Sequence, residues 1–179
     1  SGIMPNPTYR KVKEGAALAR EEGVEMILGI GGGSVMDCCK AISMAAVYKG
    51  DIWNDFWARP GVVDFTPLPL GVIVTAAGTG SEMNGGAVIT NQAKKIKTGR
   101  DYPACNPRFA LMDPAYTISV PVRQMVSGGF DILSHIMETY FSEPNTDNVS
   151  DDISEALMRG VIRDLRAAIK NPEDYTARS

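Results

Sequence analysis

A glycine-rich turn is the first feature of this sequence whose residues suit a chemical task. The stretch Gly29-Ile30-Gly31-Gly32-Gly33-Ser34 follows a short apolar run and precedes a helical pattern. Backbone amides at a helix N-terminus carry a partial positive charge, and glycines let a phosphate approach them closely. Ser34 stands where a GxGxxG fingerprint has its last glycine, and no GK[ST] follows as in a Walker A loop. The spacing favours phosphate binding over the alternative, a tight turn that only needs positive φ values.

A second polar turn, Thr75-Ala76-Ala77-Gly78-Thr79-Gly80-Ser81-Glu82, follows another apolar run. Ligands of open α/β sheets bind beyond the carboxyl ends of the strands. If both apolar runs are neighbouring strands, we expect the two turns to face one cleft and offer hydroxyls and amides to the same ligand. Taken alone, this turn also fits an ordinary connection rich in Gly, Ser and Thr.

Asp131 and His135 form the third candidate, on one face of an apolar helical stretch. The apolar neighbours Phe130, Ile132 and Ile136 predict that Asp131 is buried, and a buried carboxylate needs a partner. A carboxylate and an imidazole suit a divalent transition metal, but a tight site needs three or four ligands. The spacing alone therefore favours a structural alternative, an Asp–His hydrogen bond or a helix ion pair.

The elements around the first two turns form a β-α-β pattern. The sequence predicts a helix over 8–22 closed by Gly23, a strand over 24–30, a helix over 34–48 and a strand over 70–74. Both predicted strands are continuous apolar runs, which is typical of parallel strands covered on both faces. The glycine turn therefore lies between a buried strand and the helix that follows it.

After residue 74 the sequence pattern changes to short strands and turns, and after Pro121 it becomes helical. It predicts a hairpin over 87–90 and 95–98, a strand over 109–112, and helices over 122–141 and 146–170. The change near Pro121 marks the best boundary between an α/β part and an all-helical part.

Composition excludes several classes of protein. The chain has 179 residues, a net charge of −3 and a pI near 5.2, which argues against non-specific nucleic-acid binding. No apolar run approaches the ~20 residues of a membrane span. Cys38, Cys39 and Cys105 form neither a CxxC motif nor a disulfide framework, which predicts a reducing, cytoplasmic setting. The only histidine is His135, so a site made of several histidines is excluded from these residues.

Together the motifs resemble the iron-containing alcohol dehydrogenase family, and most of all its butanol-dehydrogenase-type members, which reduce aldehydes. The matching stretches are PNPTY near the start, GGGSVMDCCKAI at 31–42, TAAGTGSEMN at 75–84, ALMDPAYTISVP at 110–121 and GGFDILSHIMETYF at 128–141. They occur in the family's order and spacing and cover nearly the whole chain, so the match is far more specific than any single motif.

The resemblance implies a binding site for NAD or NADP. The residues that it places at the cofactor are Gly32, Gly33, Ser34, Asp37, Thr75, Thr79 and Lys97. The first three would hold the pyrophosphate, and the aspartate would help to fix the cofactor. The two threonines would contact its ribose and nicotinamide side, and the lysine would contact it from the hairpin.

The resemblance also implies a metal, Fe²⁺ or Zn²⁺, with Asp131 and His135 as its first two ligands. The metal would act as a Lewis acid on the oxygen of a primary alcohol or aldehyde, while hydride passes between the substrate and NAD(P). The family's other two ligands are histidines further along its chains. No second histidine follows here, so we expect this chain to be an internal fragment.

The fold implied is α/β: a parallel-sheet dinucleotide-binding domain over 1–120, lacking its N-terminal part, then the start of an all-helical metal-binding domain over 121–179. The intact protein is expected to be a homodimer that acts on a small alcohol or aldehyde, without nucleic-acid or membrane partners. Two alternatives stay open. One is an inactive fragment that at most binds dinucleotide. The other is a relative of glycerol dehydrogenase or dehydroquinate synthase, which fits DPAYT and TAAGTGSE less well.

Overall fold

The computed structural model describes residues 2–143 and 148–179, which divide into two compact units. The first unit comprises the chain up to Val74 together with Gly80–Leu111. The second comprises Thr75–Thr79 and the described residues from Met112 onward. The predicted assignment of 1–120 to dinucleotide binding and of 121–179 to metal binding stays a prediction about function.

The first unit is built on a three-stranded parallel sheet. Its strands are β1 (Ile27–Gly31), β2 (Leu70–Val74) and β5 (Phe109–Leu111), in the order β1-β2-β5. Helix α2 (Gly33–Val47) joins β1 to β2, so the predicted parallel β-α-β pattern is confirmed. Gly31 pairs with Val74, which sets the carboxyl ends of the two strands level.

Helix α1 (Tyr9–Glu21) and a hairpin complete this unit. Thr8 caps α1 by accepting a hydrogen bond from the Lys11 amide at 3.2 Å, and Gly23 follows with φ +59°, as the sequence predicts. The predicted hairpin is also present, with longer strands, as β3 (Gly86–Asn91) and β4 (Ile96–Asp101). A π-helical turn over Trp53–Trp57 contributes three buried aromatic side chains to the main apolar core.

Strand β1 differs from the prediction in two ways: it begins later in the chain, and one of its faces is exposed. Leu28 and Ile30 are 49% and 58% exposed, so the expectation that both faces are covered is wrong for this strand. Its other face is covered by α2, because a Cβ placed on Gly29 would lie 3.3 Å from the sulfur of Cys39. An apolar run shows that a strand is favoured but does not show how many of its faces are covered. The strand begins after Val24, whose amide still bonds to Ala19 in the turn that ends α1.

The second unit consists of helices and short turns. Its helices are α3 (Val122–Tyr140), α4 (Val149–Lys170) and α5 (Tyr175–Arg178). Helices α3 and α4 pack closely at Gly129, where an added Cβ would lie 2.7 Å from a methyl carbon of Leu165. The predicted start of α4 at Thr146 lies outside the described residues, and Asn148 caps the helix by accepting from the Ser150 amide. The change from an α/β part to a helical part is confirmed.

The three cysteines Cys38, Cys39 and Cys105 are free and buried. Burial is the main reason that the pKa of each thiol is raised, to about 12 for Cys38 and about 11 for the other two. These thiols therefore stay protonated at neutral pH, where they are poor nucleophiles. None of the helices within 2–143 and 148–179 combines the length and the apolar character that a membrane span requires.

Candidate dinucleotide and metal sites

The glycine turn places an uncapped helix N-terminus at the carboxyl end of β1. Strand β1 ends at Gly31, Gly32 occupies the N-cap position of α2, and no side chain caps the helix. The first amides of a helix have no intrahelical acceptor and carry its positive partial charge. This end of α2 therefore offers backbone donors to an anion, with glycine on the approach to them.

Backbone conformation argues against the alternative explanation of the turn. Among the described residues, the glycines with positive φ are Gly2, Gly23 and Gly80, and none belongs to the turn. The glycines of the turn are therefore not required by positive φ values. At Gly31 the reason is packing, because a Cβ there would lie 2.4 Å from a methyl carbon of Val35.

Asp37 links α2 to two other parts of the first unit. Its Oδ1 accepts a hydrogen bond from the Ser81 hydroxyl at 2.8 Å, and its Oδ2 accepts one from the Val88 amide at 3.0 Å. Burial raises the pKa of this carboxyl, and the two hydrogen bonds act in the opposite direction. Both carboxylate oxygens of Asp37 are thus bonded to other parts of the protein, one to the 80–86 segment and the other to β3.

Lys40 is a residue that the sequence reasoning missed, although it lies in the GGGSVMDCCKAI stretch. It is fully buried, and its Nζ donates to the carbonyls of Ser81 at 2.6 Å and Gly86 at 2.8 Å. It also donates to the Ser81 hydroxyl at 2.8 Å, and Asn84 Oδ1 lies at 3.2 Å. The sequence does contain an indication of this role: Lys40 lies on the apolar face of α2, one helical turn after Asp37, where a lysine is rare unless it has partners.

Lys97 lies on β4 opposite Thr90, and its ammonium donates to Asn6 Oδ1 at 2.7 Å. Asn6 belongs to the PNPTY stretch and adopts φ +55°, a left-handed conformation that asparagine tolerates better than most residues. The structure thus connects the hairpin lysine to the start of the chain. Its contact with a cofactor stays a prediction.

Thr75 and Thr79 bound a short segment that belongs to the second unit and packs against α3. A Cβ on Gly128 would lie 2.7 Å from the Ala77 carbonyl oxygen, and one on Gly78 would lie 3.5 Å from Asp131 Oδ2. The segment therefore reaches the candidate metal ligand. Packing requires glycine at position 128, beside the Ala77 carbonyl, whereas the distance at Gly78 is that of an ordinary contact. Neither Gly78 nor Gly128 was singled out from the sequence.

The Asp131–His135 pair lies on α3, as predicted, with His135 Nε2 3.9 Å from Asp131 Oδ1. The expected burial of Asp131 is wrong, because the two side chains are 46% and 52% exposed. The apolar neighbours do not enclose the pair, and Phe130 is itself 64% exposed. The separation is too long for a hydrogen bond, so the structural alternative is reduced to a weak ion pair, which would require protonated histidine. Glu138 Oε2 lies 3.8 Å from the other ring nitrogen.

The donor set of this pair fits part of a transition-metal site. Carboxylate oxygen and imidazole nitrogen are ligands of both Fe²⁺ and Zn²⁺. Within 2–143 and 148–179, no group of three or more His, Cys, Asp or Glu side chains is arranged to hold a metal ion. Asp131 and His135 thus fit two positions of a metal site.

Substitution of Gly128 tests the packing that brings the 75–79 segment to α3. Gly128→Ala is expected to lower the free energy of unfolding by about 1–3 kcal/mol, because a methyl group cannot fit beside the Ala77 carbonyl. Urea unfolding followed by helical circular dichroism measures the change. The matched control is Gly160→Ala on α4, where a Cβ meets no atom within 4 Å, and this change should stabilise by about 0.5–1 kcal/mol. Equal effects of the two substitutions would contradict the packing argument.

The fold and the site define a class of protein: a parallel α/β unit with an uncapped, glycine-lined helix N-terminus, together with a helical unit. Comparison with known proteins is more specific. The family profile "Iron-containing alcohol dehydrogenase" matches residues 1–114, and "Fe-containing alcohol dehydrogenase family, C-terminal" matches residues 125–179. The chain belongs to the iron-containing alcohol dehydrogenase family, so the predicted resemblance is confirmed.

Its similarity to individual relatives extends over the whole chain. The NADH-dependent butanol dehydrogenase B of Clostridium acetobutylicum is 41% identical over 179 residues, which is 100% of this chain and 45% of the relative. The NADPH-dependent aldehyde reductase YqhD of Escherichia coli is 36% identical over 99% of this chain and 46% of its own length. The crystal structure of the NADH-dependent butanol dehydrogenase A of Thermotoga maritima matches with a TM-score of 0.93 and 40% identity, covering 99% of this chain and 44% of that one. The chain thus spans about half the length of the relatives it matches.

Proposed function

We propose that this protein is an NAD(P)-dependent oxidoreductase that interconverts a primary alcohol and an aldehyde with the help of a divalent metal. The observation that carries the proposal is the glycine-lined, uncapped N-terminus of α2 beside the end of β1 in a member of the iron-containing alcohol dehydrogenase family. Two relatives carry such activities in their names, a butanol dehydrogenase and an aldehyde reductase.

The first unit is proposed to bind the cofactor pyrophosphate. The amides of Gly33 and Ser34 would donate to it, and Gly32 would leave room for its approach. Lys97 would place a positive charge near the cofactor from the hairpin. Asp37 would act by holding α2, Ser81 and Val88 together rather than through a contact of its own.

The second unit is proposed to supply part of the catalytic centre. Thr75 and Thr79 would contact the ribose and nicotinamide side of the cofactor, and Asp131 and His135 would be two ligands of Fe²⁺ or Zn²⁺. A metal bound there supplies Lewis-acid polarisation of the substrate oxygen. Asp131 and His135 would hold that ion, and the 75–79 segment lies beside Asp131, because a Cβ on Gly78 would be 3.5 Å from Asp131 Oδ2.

The relatives do not agree on the cofactor, because one is NADH-dependent and another is NADPH-dependent. We propose either nicotinamide cofactor for this chain, a small primary alcohol or aldehyde as substrate, a cytoplasmic location and a homodimer for the intact protein. An inactive fragment that at most binds dinucleotide, without turnover, stays the main alternative.

Nucleotide titration with a turnover assay tests the proposal. The protein is titrated with NADH and with NADPH while the fluorescence of the reduced nicotinamide is followed, and saturable binding of at least one is expected. Butanal is then added in the presence of Fe²⁺ or Zn²⁺, and oxidation of the bound nucleotide is expected in the whole protein. Saturable binding with no oxidation favours the binding-only alternative, and no binding of either nucleotide refutes the proposal.

A further inference from the structure

We propose that Lys40 is a positioning residue for the dinucleotide site, acting as a buried ammonium that holds the 80–86 segment against α2. The inference rests on the proposed function, because it concerns the site where the cofactor would bind. It adds a residue to that site that would touch neither the cofactor nor the substrate.

The surroundings of Lys40 are those of a charged group. Its Nζ lies within hydrogen-bond distance of four oxygen acceptors, on Ser81 (two), Asn84 and Gly86. An ammonium has three hydrogens to donate, so the three shortest contacts account for them and Asn84, at 3.2 Å, shares one. A lysine at 0% exposure needs such compensation, because a buried charge without partners is strongly unfavourable.

The acceptors lie near both ends of one segment. The carbonyl of Ser81 is at its start and the carbonyl of Gly86 at its end, and both bond to the same nitrogen. Asn84 strengthens the arrangement, because its side chain donates to the Gly80 carbonyl and accepts from the Gly86 amide. Apolar burial contributes little here, since Met83 is 70% exposed. Polar contacts thus hold the 80–86 segment: those centred on Lys40, and the hydrogen bond from the Tyr102 amide to the Gly85 carbonyl beside the pairing of Gly86 with Asp101.

The same contacts reach the helix that opens at the glycine turn. Ser81 accepts from Lys40 through its hydroxyl oxygen and donates its hydrogen to Asp37, which lies near the start of α2. Asp37 in turn accepts from the Val88 amide at 3.0 Å. A charge-compensated chain from Lys40 through Ser81 to Asp37 therefore joins α2, the 80–86 segment and β3. Loss of the ammonium would free the segment that directly follows Thr79 in the chain.

The test compares Lys40→Met with Met44→Ala in NADH titrations and hydrogen exchange. Methionine keeps most of the side-chain length of lysine but donates no hydrogen bond. Met44 is also fully buried on α2, in the apolar core, so its truncation lowers stability without touching the 80–86 segment. Lys40→Met should weaken NADH binding by about tenfold or more and speed exchange of the 81–88 amides, while the control keeps the wild-type NADH affinity. Both titrations are made well below the unfolding transition of each variant.

Steady-state kinetics and a milder variant complete the test. In turnover by the whole protein, KM for NADH should rise with kcat changed by less than about twofold, because Lys40 would act on binding and not on the chemical step. Ser81→Ala, which removes the bridging hydroxyl but leaves the lysine, should weaken NADH binding in the same direction. If Lys40→Met does not fold, Ser81→Ala takes its place in the NADH titration.

Each outcome separates the inference from the function on which it rests. A wild-type protein that fails to bind NADH or NADPH refutes the proposed function, and exchange of the 81–88 amides then shows whether Lys40 holds the segment. Wild-type NADH affinity in Lys40→Met or Ser81→Ala overturns the positioning role while the proposed function stands. Unchanged exchange of the 81–88 amides in Lys40→Met also overturns it.

Discussion

His135→Ala is expected to abolish metal-dependent turnover in the whole protein while leaving dinucleotide affinity close to wild type. The substitution removes one of the two proposed metal ligands on α3 and leaves Asp131 as the other. Polarisation of the substrate oxygen by a metal contributes several kcal/mol to the transition state, so a loss of about 1000-fold or more in kcat is expected. Nucleotide oxidation with an aldehyde measures kcat, and NADH titration measures the affinity.

Glu138→Gln provides the control for the metal assignment. Glu138 lies 3.8 Å from the other ring nitrogen of His135, but its side chain is 83% exposed and we assign it no metal contact. Turnover should therefore change far less in this variant than in His135→Ala. Retained metal-dependent turnover in His135→Ala would show that the histidine is not a ligand. A parallel loss of NADH affinity would show that the substitution acts through the fold.

Gly33→Val is expected to weaken dinucleotide binding by about 10–100-fold, with Gly33→Ala giving a smaller loss. Hydrogen bonds to a charged group contribute about 1.5–3 kcal/mol each, and a branched side chain at the opening of α2 would keep the pyrophosphate from one or more amides. Fluorescence titration with NADH gives the dissociation constant directly.

Gly160→Val makes the same chemical change in a helix at a site with open space around the Cβ, so NADH affinity should be unchanged. Circular dichroism confirms that each variant is folded before titration. Equal affinity of Gly33→Val and the wild type would remove the glycine turn from the proposed site. Equal weakening in both valine variants would point to a general effect on folding.

The two predictions concern different units of the protein, and the sequence predicted different features of each unit. For the first unit, continuous apolar runs and turn residues predicted the parallel strands, and the second strand was placed with its observed bounds, Leu70–Val74. Hydrophobic periodicity is a local signal, so it located the elements. It could not show that Leu28 and Ile30 stay exposed, because coverage of a strand depends on what packs against it.

The candidate metal site also shows that local sequence patterns predict position but not burial: here the Asp131 side chain was expected to be buried and is exposed. The four-residue spacing of Asp131 and His135 placed them on one helical face, and the structure agrees. Burial was inferred from apolar neighbours in the chain and was wrong, because helix neighbours point in several directions and enclose a side chain only when other elements pack over them. The approach of Gly78 to Asp131 joins residues far apart in sequence, and no local pattern indicates it.

By itself the sequence determined the family, the order of the elements and the residues proposed to bind the cofactor and the metal. These features can be predicted from motifs that are defined by residue type and by short spacing along the chain. Only the tertiary structure decided what Asp37 and Lys40 do, because their partners Ser81, Gly86 and Val88 lie more than one element away along the chain. A buried lysine is unfavourable until acceptors surround it, and three-dimensional packing alone brings those acceptors together.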